Sequence, residues 1–132
     1  MHPETPPLRP LLVVDGANVV GSVPDGWWRD RRGAAERLRD RLAAHGGPDD
    51  GPFAGPYEIV LVVEGGARGV ASVPGVRVEE AHGSGDDLIA ELARHAKGRP
   101  CLVVTADREL RRRVEAEGAR CVGPRSVLRP PS

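Results

Sequence analysis

Aromatic residues are nearly absent: two Trp, one Tyr and one Phe in 132 residues. The interior must therefore be built from Val, Leu, Ala and Ile. Cysteine is scarce too. Cys101 and Cys121 lie on separate apolar runs, with neither a CxxC pair nor a Cys/His cluster. That argues against a disulfide scaffold or a thiolate metal site, and two reduced, buried thiols are expected. Neither sign of charge is in excess: 19 Lys and Arg balance 19 Asp and Glu, and the pI is near 6.9. Nothing draws the whole molecule to nucleic acid or to a membrane, so any polyanion must be met by a local basic patch. No apolar run reaches transmembrane length. Residues 1–10 carry four prolines and no apolar stretch of the secretory kind. A cytoplasmic protein without a membrane partner is expected.

What is present is glycine (17) and proline (13), gathered in loops and tails around strongly apolar runs. A chain of this length forms one domain and buries a core without staples. The central stretch is Leu-Leu-Val-Val-Asp-Gly-Ala-Asn-Val-Val-Gly at 11–21. Its start reads as a buried parallel strand ending at Asp15; Gly16 allows a tight turn, and Asn18 follows. Residues 23–28 read as a turn holding Trp27 and Trp28. Ala34, Ala35, Leu38 and Leu42 recur at helical spacing, which predicts a helix over 29–45 stopped by Gly46-Gly47-Pro48. Apolar runs predict strands at Glu58–Val63, Val76–Glu80, 101–105 and 119–122. Helices are predicted over 86–97 and 107–117, and a single helical turn around 67–70. Residues 123–132 are Pro-rich, with no element expected.

Strands alternating with helices imply βαβ units and a parallel sheet covered on both faces. The expected fold is a single-domain, Rossmann-like three-layer α/β/α sandwich. Its five-stranded, mostly parallel sheet has order 3-2-1-4-5, with strands one and four together at the switch point. Residues 11–128 make the domain, between tails at 1–10 and 129–132.

Parallel strands end at one edge, and acids gather there. Asp15 ends strand one, Glu64 follows strand two, Asp86 and Asp87 open the helix after strand three, and Asp107 follows strand four. Each has a modest structural reading: Asp107 as a helix cap, Asp15 and Glu64 as turn residues, Ser84 and Asp87 as a capping box. Together they would repel one another unless a cation intervened. Oxygen donors without Cys or His select Mg²⁺ or Mn²⁺. Carboxylate-bound divalent ions are common apparatus for phosphodiester hydrolysis. No GxGxxG follows strand one and no GxxxxGK[ST] occurs, which argues against dinucleotide and P-loop sites. Ala17 stands where a haloacid-dehalogenase phosphatase has its second Asp.

Three blocks carry a resemblance: Val14-Asp15-Gly16-Ala17-Asn18-Val19-Val20-Gly21, Gly85-Asp86-Asp87-Leu88-Ile89 and Val103-Val104-Thr105-Ala106-Asp107-Arg108-Glu109-Leu110. In order and spacing they resemble the motifs of the NYN domain, in its YacP-type branch within the PIN-like nuclease superfamily. The resemblance implies a metal-dependent ribonuclease, an endonuclease using Mg²⁺ or Mn²⁺. Asp15, Asp86 or Asp87, and Asp107 match acidic metal ligands. Asn18 matches the polar partner of the first acid and Thr105 the hydroxyl before the last. Glu64 stands where the family often has Asp, and Glu109 at the spacing of a further acid.

For RNA, the arginines placed beside a phosphate backbone are Arg29, Arg32 and Arg108, at helix starts on the acid-bearing edge. Trp27 or Trp28 is a candidate for base stacking or for anchoring, and His82 precedes the turn at 83–85. Two other readings stay open: a non-catalytic RNA-binding module, and a small nucleotide phosphohydrolase. The RNA, structured or ribosome-associated, and the choice of monomer or homodimer are not fixed by these residues.

Overall fold

The computed structural model describes residues 9–128. Residues 1–8 of the expected tail at 1–10, and the expected tail at 129–132, lie outside the described residues. The elements run β1 (Leu11–Asp15), α1 (Gly16–Gly21), α2 (Arg31–His45), β2 (Glu58–Val63), β3 (Val76–Glu80), α3 (Gly85–His95), β4 (Cys101–Val104), α4 (Arg108–Ala116), β5 (Arg120–Val122) and α5 (Arg125–Leu128). Two 3₁₀ turns stand at Trp27–Arg29 and Gly65–Ala67.

The five strands form one sheet of order β3-β2-β1-β4-β5. Every neighbouring pair is parallel, so the sheet is wholly rather than mostly parallel. β1 is central: Val13 lies opposite Val60 on one side and Val103 on the other. Side chains alternate across a strand, so each apolar run feeds two cores. Leu12, Val14, Leu61, Val63, Leu102 and Val104 face Ala35, Leu38 and Leu42 of α2. Val13, Val60, Val62 and Val103 face Ile89 and Ala93 of α3 and Leu110 and Val114 of α4. This is the expected three-layer sandwich. Among the described residues no helix is long and apolar enough to cross a membrane. Cys101 is buried, whereas Cys121, expected buried, is half-buried near the sheet edge; both thiols are free. Burial pushes each up to about 11.

Several boundaries differ from expectation. The stretch read as a turn after Asp15 is helix α1. Glycine and valine are poor helix formers, but Val19 is fully buried in the core, and that packing outweighs propensity. α2 starts at Arg31 rather than residue 29, because the Asp30 carboxylate accepts the Gly33 N–H at 2.9 Å and caps the helix there. α4 starts at Arg108 because Asp107 is its cap. α3 starts at Gly85 behind Ser84. The turn expected around 67–70 is the 3₁₀ turn Gly65–Ala67. α5 lies where no element was expected; Val127 is buried, and Arg41 donates to the Val127 and Leu128 carbonyls at its end.

Candidate active site

The sheet delivers its acids to one edge, and burial makes one of them unusual. Asp15, at the end of the central strand, is 6% exposed. Two donors hold it. The Thr105 hydroxyl donates to its Oδ2 at 2.9 Å, and the Asn18 N–H donates to its Oδ1 at 3.3 Å. Asp15 is thus both the cap of α1 and a carboxylate locked to the end of β4. The network continues: Asn18 Oδ1 accepts the Ala106 N–H at 2.8 Å, and Thr105 Oγ1 accepts the Asp107 N–H at 3.2 Å. Asp107 Oδ1 accepts the Leu110 N–H at 2.9 Å, and Arg111 Nε holds the Thr105 carbonyl at 2.8 Å.

Burial raises the Asp15 pKa above its ordinary value. The two hydrogen bonds oppose that rise, and the negative charges of Asp86 and Glu64 add to it. Asp86 is raised too, first by burial and then by Asp107 and Glu64. Asp15, Glu64, Asp86 and Asp107 therefore form one electrostatic cluster. Asp87 turns away: its carboxylate lies 3.0 Å from Arg113 on α4 and is 82% exposed. It does not complete the expected capping box, in which Ser84 instead caps α3 through the Asp86 N–H at 3.1 Å. Glu64 accepts the Gly85 N–H through Oε2, tying the end of β2 to the start of α3. The α3 and α4 N-termini point positive dipole ends toward this edge. Glu109 is exposed on α4.

The donor set is oxygen only, which suits a hard divalent cation. Among the described residues the acids do not close into a ready three-ligand cage. An open arrangement still fits Mg²⁺, which typically keeps several waters and takes one or two protein carboxylates plus substrate phosphate.

The proposed arginines divide. Arg108 is exposed at the start of α4, beside Asp107. Arg29 stacks over Trp28, itself 56% exposed. Arg32 donates to the Gly69 carbonyl at 3.2 Å and lies 4.0 Å from Glu36. A cleft of about 420 Å³ adjoins the acids and includes Glu64, but it is lined by other basic residues, Arg31 and Arg68, together with Trp27, Val20, Ala35 and Val63. Sequence reasoning missed Arg31 and Arg68. A signal for Arg68 existed: it is the only charged residue between 65 and 75. Arg31 could not be chosen over its neighbours without the helix start, since each residue turns the face by about 100°.

Solved structures share this arrangement of elements. Rae1 (YacP) from Bacillus subtilis superposes with a TM-score of 0.69 and 20% identity, covering 89% of this chain and 71% of that one. Its W164L mutant gives a TM-score of 0.66 with the same identity and coverage. The chain has a YacP-type fold. No protein-family model and no curated protein sequence matches it. In this YacP-type frame, the acids stand at the carboxyl ends of the central strands, where open α/β sheets bind ligands.

Proposed function

We propose that the chain is a metal-dependent ribonuclease that cuts RNA internally. The observation that carries this reading is the buried Asp15 carboxylate, oriented by Thr105 and Asn18 and clustered with Asp86, Asp107 and Glu64. The YacP-type fold and the resemblance of the three motif blocks to NYN domains support it. Burying a carboxylate that repels its neighbours weakens a fold, so the arrangement calls for a compensating ligand. Asp15, Asp86 and Asp107 would hold Mg²⁺ or Mn²⁺, with Glu64 at the margin. Such an ion supplies an activated water and neutralises charge developing on phosphate oxygens. Thr105 and Asn18 are positioning residues: they fix the Asp15 carboxylate and the loop carrying Asp107. Asp87, paired with Arg113, stands outside this set.

The test is cleavage of end-labelled RNA with Mn²⁺, with Mg²⁺ and with EDTA, beside Asp107→Asn. Internal cuts that need metal and vanish in the variant are expected. RNA bound but never cut would return the non-catalytic module, and hydrolysis of free nucleotides alone the phosphohydrolase.

Thr105 offers a sharper check. Thr105→Val removes the hydroxyl donor and leaves Asp15 Oδ2 buried without it, at about 1–3 kcal/mol of stability. The lost hydrogen bond had been lowering the Asp15 pKa, so its removal raises that pKa further. The acid limb of the pH–rate profile moves to higher pH, and cleavage falls more on that limb than on the plateau above it. Thr105→Ser keeps the donor and restores both. A uniform loss across pH would remove Thr105 from this role.

A further inference from the structure

The cleft beside the acids is not used by the chemistry above, yet it shares the Glu64 wall with them. Its composition is mixed in an informative way. Val63 and Ala67 give an apolar floor at the end of β2, and Trp27 gives an aromatic wall. The Arg31 guanidinium lies 5.3 Å from the centre of the Trp27 ring, in stacking range. Arg68 Nη2 donates to the Ala81 and His82 carbonyls at 3.1 and 2.8 Å, so that guanidinium is fixed rather than swinging in solvent. Neither arginine has a carboxylate partner among the described residues. Each keeps N–H donors to spare, since a guanidinium carries five.

An aromatic wall with a guanidinium beside it, an apolar floor and the held Arg68 donors suit the face and edge of a nucleobase. About 420 Å³ lies within the usual size of small-ligand sites, roughly 300–1,000 Å³. Two unpaired cations next to a cluster of acids also suit a polyanion whose one phosphate sits at the acids while its neighbour needs positive charge. We propose that this cleft is a base pocket, taking one unpaired base of the RNA from a nucleotide flanking the phosphate that is cut. This rests on the ribonuclease reading for the position of that phosphate, though not for the binding itself. A base engaged in a duplex cannot enter, so the pocket confines cutting to single-stranded or flipped-out positions. Of the two tryptophans, Trp27 is the base-stacking residue, while Trp28 lies outside the cleft.

The chain has only two Trp, so Trp28→Phe leaves Trp27 as the sole indole reporter. In that background, with Asp107→Asn to prevent cutting and Mn²⁺ present, short single-stranded RNA is titrated against Trp27 fluorescence. The same strand is also used as a duplex, and as a series with one abasic position walked along it. Quenching by the single strand is expected, with little by the duplex. One abasic position should weaken binding about tenfold, within the range known for base–aromatic stacking. Arg31→Ala, a change at the exposed first residue of α2, should weaken it comparably while lowering the melting temperature by no more than the few degrees that the lost Trp27 contact accounts for.

Binding that leaves Trp27 fluorescence unchanged and ignores Arg31→Ala overturns the pocket, as does the absence of any binding. The two readings separate cleanly. Wild-type cleavage with a silent Trp27 removes the pocket and keeps the nuclease; quenching and an abasic effect without wild-type cleavage keep the pocket and remove the nuclease.

Discussion

On the ribonuclease reading, Asp15→Asn is expected to abolish cleavage, by on the order of 10³-fold or more, and at the same time to make the metal-free protein harder to unfold. The two effects have one cause. Asp15 is buried at the end of the central strand, and its pKa is raised by that burial. The folded state therefore favours the protonated form more than the unfolded chain does. The stability contributed by this group is complete below its unfolded pKa of about 3.9 and is lost as pH rises through the raised folded value. At neutral pH the wild type carries that loss, and asparagine, which never ionises, does not. Both partners donate to the carboxylate, and the amide has one acceptor oxygen: Oδ1 keeps the Asn18 N–H, while the Thr105 hydroxyl must turn to accept from Nδ2, which offsets part of the gain. In EDTA at pH 7.5 the variant should melt a few degrees above wild type, with the gap closing near pH 4. Mn²⁺ reverses the order. At a hundredfold excess over Kd a ligand adds about 2.7 kcal/mol, on the order of 10 °C for a domain of this size. That gain should appear in wild type and be absent from Asp15→Asn. Calorimetry in EDTA and in Mn²⁺ measures both, and a variant less stable than wild type in EDTA would refute the argument.

Gly16→Ala moves the fold in the opposite direction. A Cβ on Gly16 would lie 2.5 Å from the Val62 carbonyl oxygen and 3.3 Å from Leu61 Cδ1. The near neighbour is sheet backbone, so no rotamer change relieves the clash; α1 must lift from β2. Overpacking of this kind costs about 1–3 kcal/mol, or roughly 3–12 °C in melting temperature. The shift also drags the Asn18 N–H off Asp15, so activity falls with stability. Gly83→Ala is the control: a Cβ there meets open space and should stay within about 0.5 kcal/mol of wild type. Equal melting temperatures for the two alanine variants would mean that α1 and β2 are not held at this close approach.

The sheet was legible because its strands are buried on both faces and read as continuous apolar runs: 11–14, 59–63 and 101–104 need no subtle periodicity. α1 was not legible, because its helicity comes from the burial of Val19 and the cap on Asp15 rather than from its residues' preferences. α5 was marked only by Pro124 just before its first turn, a position proline favours at helix starts, and was lost in a Pro-rich tail. The choice between Asp86 and Asp87 was open although the means to close it were present. Asp86 shares a helical face with Ile89 and Ala93, both buried, whereas Asp87 falls in line with exposed Glu91 and Arg94. The apolar phase of α3 thus turns Asp86 toward the acids and Asp87 toward Arg113. Of the cleft arginines, Arg68 was marked as the lone charge between 65 and 75, whereas Arg31 depended on where α2 starts, which no repeat or spacing fixes.

The bonds that fix Asp15 join distant parts of the chain: Thr105 is 90 positions from Asp15, and Ala106 is 88 from Asn18. Their consequence lies in folding kinetics. Contacts this far apart must wait for a large loop to close, and parallel pairing of β1 with β4 is among the slow, non-local steps of such a topology. The centre is therefore assembled late, after the β1–β2 side has begun to form, and activity regained during refolding should lag the return of helical signal. A fragment ending before residue 105 would hold Asp15, Glu64 and Asp86 without the Thr105 hydroxyl that fixes Asp15 or the Asp107 carboxylate; the proposed centre is complete only when most of the chain has been committed.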